Sequence, residues 1–363
     1  MSSIKKQVYS KPFNLVFENN YPNLFVGPGF YNNYYSAKLS TPKQWVKDKD
    51  INNISNFRKK QEFTLKRYNK EDIRKENKNL EEMQLLTQSI KTTEMEIDFE
   101  RKPRLVKEQF SGINNSSYQL NKFKISENIR VPRNIDKIVN DYDLKAKEGI
   151  INLYTKTKDI YKTQQLLSIG LLGLKNNRIL VPTKWSITGC DDITSKEKIL
   201  EKIRYYPEID DFKIYNYSIY KNQFIILLLP SYWGFEVIEK QNENYMIDYE
   251  LKDPKKKYAS NVTGGYYASR LEVTNYLENI KKQAKVIIFR DIGKDYISQG
   301  VWIVREAIKE TLKQKPILFN DIKSVTNYLN NNYNSINVSD FIKKSNVIKE
   351  FKNQKSILNF IYK

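Results

Sequence analysis

The sequence predicts an α+β protein, with a mixed or antiparallel sheet flanked by helices and a helical C-terminal region. Three observations predict this class: strand-like segments are joined by short turns, helical stripes lie between them, and the last patterned segments are helical. Hydrophobic residues make up 40% of the 363 residues, which is ordinary for a globular protein and enough for sizeable cores.

The first hundred residues give few regular patterns. Proline and glycine punctuate the first sixty, which we expect to wrap around a folded body rather than to form one. The charged stretch 61–78 is interpreted as a solvated helix face or a loop. Met95, Ile97 and Phe99 then alternate with acidic residues, and this alternation predicts a half-buried strand.

Hydrophobic periodicity assigns most of the remaining chain. Apolar residues at helical spacing predict helices over 80–90, 134–156, 160–172, 194–206, 265–283, 302–313, 320–329 and 339–351. Short apolar runs predict strands over 178–181, 212–220, 224–229, 235–239 and 284–289. A tight turn at Lys221 and Asn222 would join two of these strands, and the continuous apolar run 284–289 suits a strand covered on both faces.

The charge balance favours a polyanionic partner. Lysine and arginine number 62 against 42 acidic residues, which gives a formal net charge of +20. Such a charge attracts nucleic acid, because each lysine or arginine that neutralises a phosphate releases a counterion. The alternative is codon usage, since an A+T-rich genome raises lysine, asparagine, isoleucine and tyrosine together. Clustering of the cations on one face would decide between the two.

Residue usage excludes several kinds of catalytic site. The chain has no histidine and its single cysteine is Cys190, so a Ser-His-Asp triad, a Cys-His dyad, an internal disulfide and a zinc site are all ruled out. Catalysis would have to use carboxylates, lysine, arginine, tyrosine or a metal ion held by oxygen atoms. No apolar run reaches membrane-spanning length and the N-terminal residues have no signal-peptide core, so we expect a cytoplasmic protein without a membrane partner.

Four aspartates are candidates for chemistry. Asp141 and Asp143 lie in a predicted helix, where Asp141 could instead form a surface ion pair with Lys145. Asp191 and Asp192 fall in a predicted loop before another helix, which they could simply cap. If these carboxylates converged, they could bind Mg²⁺ and support phosphodiester hydrolysis.

Candidate phosphate contacts occur in two places. Lys184 and Trp185 offer a cation beside a flat ring for phosphate contact and base stacking, although a tryptophan more often belongs to a core. At the second place, a glycine pair before a helix would let backbone N–H groups approach an anion. The residues there are Lys255, Lys256, Lys257, Gly264, Gly265 and Arg270. The alternative for the glycine pair is a turn that needs a positive φ.

The last ten residues contain a spaced apolar motif. Ile357, Phe360 and Ile361 would share one side of a helical turn, and Gln354 stands three residues before the first of them. This spacing is similar to the peptide by which many proteins bind the sliding clamp PCNA, although an aromatic residue is usual at the position of Ile361. The alternative is a terminal turn packed against the protein's own body.

A series of short strings occurs along nearly the whole chain, at residues 21–23, 26–28, 41–45, 141–146, 171–173, 181–188, 191–192, 258–259, 264–268, 270–271, 283–284 and 300–306. Together they resemble the Nre family of archaeal DNA repair proteins. The resemblance implies participation in DNA damage repair, frequent clamp binding through the C-terminus, and no settled enzymatic reaction. Members often begin with a cysteine-bearing, zinc-finger-like segment, whereas no cysteine precedes Cys190 here.

The resemblance also implies a domain organisation. We expect an N-terminal Nre-like domain over 12–280, a C-terminal Nre-like domain over 281–350 and a clamp-binding tail over 351–363. The leading hypothesis is a DNA repair factor that PCNA recruits to DNA and whose basic body contacts the DNA. Two alternatives remain open: a Mg²⁺-dependent nuclease or related phosphodiester-processing enzyme that uses the aspartates, and an adaptor that binds the clamp without contacting DNA.

Overall fold

The computed structural model describes residues 3–18, 20–48, 50–100, 104–107, 114–333 and 338–353. The chain divides into two compact units. Unit 1 comprises Met1–Thr194 and Ser298–Gly300, and unit 2 comprises Ser195–Ile297 and Val301–Lys363. The short second segment of unit 1 is held by Arg58, whose Nη1 donates to the backbone oxygen of Gln299 at 2.5 Å and to its side-chain Oε1 at 3.1 Å.

The described residues of unit 1 contain one mixed sheet of seven strands. These are β1 (Ser3–Ser10), β2 (Asn14–Glu18), β3 (Asn23–Phe30), β4 (Glu62–Asn69), β5 (Thr93–Glu100), β6 (Arg104–Lys107) and β7 (Asn114–Ile125). The strand order is β1-β5-β7-β4-β3-β2, with β6 also paired to β7. Strand β4 runs parallel to β7, and the other neighbours are antiparallel.

Two expectations for this region are wrong. Three strands lie within the first thirty residues, so that segment forms part of the body instead of wrapping it. The first half of the charged stretch 61–78 is strand β4, in which Phe63 and Leu65 are buried while Lys66 and Arg67 are exposed, and residues 70–77 form a turn, a short 3-10 helix and a loop. The buried residues of this strand are hard to recognise in the sequence, because charged residues dominate the composition of the stretch. The alternation in β5 is confirmed, with Ile97 fully buried.

The described helices of unit 1 are α1 (Tyr34–Leu39), α2 (Pro42–Trp45), α3 (Ile51–Lys59), α4 (Lys78–Gln88), α5 (Arg133–Val139), α6 (Ala146–Thr157) and α7 (Ile160–Ser168). Helix α8 (Thr183–Glu201) begins in unit 1, and its residues from Ser195 onward belong to unit 2. The helix predicted over 134–156 is interrupted between α5 and α6, and the strand predicted over 178–181 is not formed. Helix α8 begins eleven residues earlier than predicted and passes through Gly189, whose missing side chain would meet no atom within 4 Å.

Unit 2 contains a second mixed sheet, of six described strands. They are β8 (Phe212–Ile219), β9 (Asn222–Leu229), β10 (Gly234–Gln241), β11 (Asn244–Glu250), β12 (Lys285–Ile292) and β13 (Ile317–Phe319), in the order β11-β10-β12-β9-β8-β13. The predicted hairpin is confirmed, but its turn lies one residue earlier than predicted, at Tyr220 and Lys221, whose φ values are 50° and 59°, and Asn222 already belongs to β9. Two successive positive φ values match the twist of a tight antiparallel hairpin.

The continuous apolar run occupies the centre of this sheet. Strand β12 lies between β10 and β9, and Val286 and Phe289 are almost completely buried, as expected for a strand covered on both faces. The helices of unit 2 are α9 (Gly264–Ile280), α10 (Trp302–Thr311), α11 (Ile322–Asn332), α12 (Val338–Lys344) and α13 (Asn346–Asn353). The last three supply Val325, Phe341 and Ile348 to the core beside the sheet.

The sheets and their flanking helices confirm the predicted α+β class and the helical C-terminal region. Among the described residues, no helix combines the length and the apolar character that a membrane crossing requires.

Candidate nucleic-acid interface

The start of α8 places Lys184 and Trp185 at the surface of unit 1. Buried Thr183 fixes this turn, because its hydroxyl accepts a hydrogen bond from the backbone N–H of Val16 at 3.0 Å. Lys184 forms an ion pair with Glu18. Trp185 is 44% exposed, so the interpretation of this ring as a core residue is wrong.

A second exposed ring lies against Trp185. The ring centroids of Tyr21 and Trp185 are 5.1 Å apart at an interplanar angle of 47°, and Tyr21 is 40% exposed. The ammonium nitrogen of Lys70 lies 5.4 Å from the centre of the Tyr21 ring. We call Tyr21 and Trp185 the ring pair. Sequence reasoning did not assign Tyr21 or Lys70 to the site, although Tyr21 belongs to one of the family-like strings.

A third exposed ring, Tyr142, lies in the loop between α5 and α6. It is 45% exposed, with Lys175 Nζ at 4.5 Å and Arg178 Cζ at 5.3 Å from its ring centre. Arg178 is held in place by Nη2, which donates to the backbone oxygen of Val139 at 2.7 Å, and by Nε, which donates to that of Gly173 at 2.9 Å. The arginine is therefore fixed beneath an exposed ring.

The four candidate aspartates do not gather into one site. Asp141 and Asp143 are exposed in the loop between α5 and α6, so they are not on a helix as predicted. Asp191 and Asp192 lie inside α8 and not in a loop. Asp191 is completely buried and accepts a hydrogen bond from Nε2 of Gln164 at 2.9 Å. Among the described residues, no three aspartate, glutamate or cysteine side chains are arranged to hold a metal ion.

Arg270 cannot contact DNA in this fold, because it is completely buried in unit 2. Its Nη1 donates to Oε2 of Glu250 at 2.8 Å and its Nε donates to Oγ of Ser195 at 2.9 Å. Glu250 also accepts hydrogen bonds from Trp233 Nε1 and from the hydroxyl of Tyr266. Burial raises the pKa of Tyr266 well above its ordinary value, which keeps this phenol a hydrogen-bond donor.

The glycine pair at the start of α9 is also buried, beside a carboxylate of the protein itself. Gly264 and Gly265 are both buried, and the positive φ of 57° falls on Thr263 before them. The preceding backbone N–H groups of residues 261 and 262 donate to Oδ2 of Asp248 at 2.9 and 2.8 Å. An internal carboxylate therefore binds the backbone N–H groups just before the glycine pair that the sequence suggested for a phosphate.

The three lysines before α9 differ in their exposure. Lys255 Nζ donates to Oδ1 of Asp248 at 2.6 Å, and its side chain is only 24% exposed. Lys256 and Lys257 remain exposed. Of the six residues predicted around this helix start, these two are the ones that the structure leaves at the surface.

Helix α13 is anchored at both ends to the sheet of unit 2. At its start, buried Glu236 accepts hydrogen bonds from the backbone N–H groups of Asn346 and Val347 at 2.8 and 3.2 Å. Burial raises the pKa of Glu236, while these donors oppose the rise. Near its end, Glu350 accepts a hydrogen bond from the hydroxyl of Tyr232 at 2.5 Å and pairs with Lys285 at 3.1 Å. Gln354, Ile357, Phe360 and Ile361 lie outside the described residues.

Comparison with protein families identifies the chain's relatives. The family described as "Archaeal Nre, N-terminal" matches residues 2–246, and the one described as "Archaeal Nre, C-terminal" matches residues 250–360. The chain belongs to the Nre family.

Individual relatives agree with this assignment. The chain is 33% identical over 323 residues to a protein of Archaeoglobus fulgidus named DNA repair protein NreA, covering 85% of this chain and 81% of the relative. It is 29% identical over 355 residues to DNA repair protein NreB of the same organism, covering 94% and 88%. A third relative, DNA repair protein NreA of Haloferax volcanii, is 31% identical over 61% of this chain and 55% of its own length. No solved structure matches the chain.

Proposed function

We propose that this Nre protein is a DNA repair factor that PCNA recruits through residues 354–363 and whose body contacts DNA around Lys184 and Trp185. The repair role rests on the names of its relatives, which are DNA repair proteins. The recruitment rests on the C-terminal motif together with the anchoring of α13. The motif begins at Gln354, directly after the last residue of an anchored helix.

The anchoring of α13 carries the recruitment proposal. Glu236 satisfies the N–H groups at the start of this eight-residue helix, and Glu350 ties its last turn to Lys285. Such a short helix is not stable by itself, so these contacts are what hold it in place. The described chain is therefore held in place up to residue 353, directly before the ten residues that contain the clamp-binding motif.

The DNA contact is supported by the surface at the start of α8. Lys184 supplies a cation and Trp185 an exposed ring, which is the combination that single nucleotides bind in many proteins. The nuclease alternative receives no support from the described aspartates, because Asp191 is buried and Asp141 and Asp143 are exposed in a separate loop.

The clamp half of the proposal is tested by calorimetric titration of a peptide spanning residues 354–363 against PCNA. Phe360 is the expected anchor, and truncating a buried aromatic anchor typically costs about 2 kcal/mol or more. Phe360→Ala should therefore weaken binding roughly thirtyfold. Asn359→Ala is the matched control, because residue 359 is not a motif position, and it should bind like the wild type. No heat from the wild-type peptide, or equal losses in both variants, would refute clamp recruitment.

The DNA half is tested separately with the full chain. Its affinity for DNA should fall linearly with salt on logarithmic axes, because lysine and arginine contacts release counterions. A chain lacking residues 354–363 should still fold and bind DNA. Clamp binding without any DNA binding would leave the adaptor alternative as the correct function.

A further inference from the structure

The ring pair is built as a surface and not as part of a core. Both of its rings are at least 40% exposed, whereas Trp233 and Trp302 are 1% and 7% exposed. An exposed tryptophan against an exposed tyrosine leaves apolar area that none of the described residues covers. The ammonium group of Lys70 lies beside the Tyr21 ring, so the charge at this ring favours an anion.

Two backbone hydrogen bonds and one contact between a cation and a ring link the chain around the ring pair to Tyr142. The backbone N–H of Lys70 donates to the oxygen of Pro22 at 3.0 Å, and the N–H of Leu180 donates to the oxygen of Lys70 at 2.8 Å. Two residues before Leu180, Arg178 reaches the Tyr142 ring. We call the two ring clusters joined by these backbone contacts the aromatic strip; it comprises Tyr21, Lys70, Tyr142, Lys175, Arg178 and Trp185.

The cations of the strip differ from two neighbouring cations in how they are compensated. Lys184, next to Trp185 in the chain, pairs with Glu18. Arg74, whose Nε donates to the backbone oxygen of Arg178, lies 3.8 Å from Glu71, so these two neighbours contribute little net charge. Lys70, Lys175 and Arg178 have no carboxylate within ion-pair distance among the described residues. Three cations without such a described partner therefore lie beside exposed rings, Lys70 at Tyr21 and both Lys175 and Arg178 at Tyr142.

We propose that the aromatic strip binds single-stranded DNA, with an unpaired base stacked on the ring pair and the adjoining phosphates beside Lys70, Lys175 and Arg178. This inference rests on the proposed DNA contact and specifies its form. A ring can stack only on the face of a base, and in a duplex both faces are covered by neighbouring base pairs. Exposed rings interleaved with cations are the arrangement by which proteins follow a single strand.

The chain geometry limits how far apart two members of the strip can lie. Trp185 stands seven positions after Arg178, and a chain segment spans at most about 3.6 Å per residue, so the Cα atoms of these two residues are at most about 25 Å apart. Stacked nucleotides of one strand rise about 3.4 Å each, so this distance corresponds to at most about seven nucleotides. Three phosphate contacts on a single strand predict a log–log salt slope of about −2.

The test measures binding of the full chain to an oligothymidylate of about ten nucleotides and to a duplex of the same length. Trp185→Ala should weaken single-strand binding roughly fivefold to a hundredfold, since stacking on one ring contributes by that factor. Trp185→Phe should bind nearly like the wild type, because it keeps a ring. Tyr205→Ala is the matched control, because Tyr205 is 74% exposed but belongs to the other unit.

Tryptophan fluorescence gives an independent readout. A base stacked on Trp185 should quench the emission of the wild type much more than that of Trp185→Phe, because, of the other three tryptophans, Trp233 and Trp302 are buried and Trp45 is half-buried beneath Arg58. Equal single-strand affinity in Trp185→Ala, an equal loss for the duplex, or tighter binding of oligouridylate would each overturn the inference while leaving a DNA contact intact. Failure to bind either form of DNA would instead refute the proposed DNA contact itself.

Discussion

At the start of α8, Lys184 and Trp185 lie at the surface, whereas at the start of α9 the glycine pair is buried and Arg270 is 0% exposed. Both helix starts have the residue types that predict a phosphate contact. The difference comes from strand β11, whose Asp248 and Glu250 supply carboxylates to the backbone and to the arginine near α9. An anion-binding pattern in a sequence can thus be satisfied by the protein's own acid groups.

The largest expected effect comes from breaking the buried pair at α9. Arg270→Ala leaves Glu250 buried without its cation, and removing one partner of a buried ion pair costs about 3–5 kcal/mol of unfolding free energy. Urea unfolding followed by circular dichroism measures this loss. Lys256→Ala is the control, because an exposed lysine should change stability by less than about 0.5 kcal/mol. A folded Arg270→Ala protein with weaker DNA binding and unchanged stability would contradict the assignment of Arg270 to the core.

A smaller effect should separate the two partners Asp248 and Lys255. Asp248→Ala leaves two backbone N–H groups before α9 without their acceptor, at a cost of about 1–3 kcal/mol. Lys255→Ala should cost less, because Asp248 keeps both backbone donors and the lysine is partly exposed. The same unfolding experiment on both variants checks the order. If Lys255→Ala proved the more damaging change, the carboxylate would not be the organising group of this turn.

The smallest effect concerns the pH dependence of unit 2. Burial raises the pKa of Glu272 on α9 above its ordinary value, with Arg305 opposing the rise. A raised pKa means that the folded state holds this proton more tightly than the unfolded state does. Glu272 therefore favours folding below pH about 4.5, and this contribution is lost as the pH rises through the folded-state pKa. Glu272→Gln should flatten that part of the stability–pH curve, measured by urea unfolding at a series of pH values. An unchanged curve would show that Glu272 titrates normally.

The sequence predicted those parts of the fold whose local pattern agrees with their final burial. Strand β12 and the hairpin of β8 and β9 followed from a continuous apolar run and a two-residue turn. Strand β4 was missed because its charged side chains hide a short buried stretch around Phe63. Helix α8 was missed at its start because Gly189 resembles a helix stop, whereas the packed helix continues through it.

The candidate site could be predicted only where the residues are neighbours in the chain. Lys184 and Trp185 were found because they are adjacent in sequence, and their exposure was not predictable. Tyr21 contacts Trp185, which is 164 positions later in the chain, and Arg270 on α9 pairs with Glu250 at the end of β11. Such contacts arise from the sheet topology, which local periodicity does not contain.

The hydrogen bonds from Arg58 to Gln299 have a consequence for how the protein folds during its synthesis. Unit 1 consists of two chain segments, and the second, Ser298–Gly300, is synthesised after most of unit 2. Arg58 is only 4% exposed, and its Nη1 has acceptors on Gln299. A ribosome-bound chain that has just completed residue 194 therefore lacks the two acceptors that Gln299 supplies to this buried guanidinium. Folding of unit 1 can begin early, but it closes only when residue 299 has left the ribosome, so the two units are expected to mature together instead of strictly one after the other.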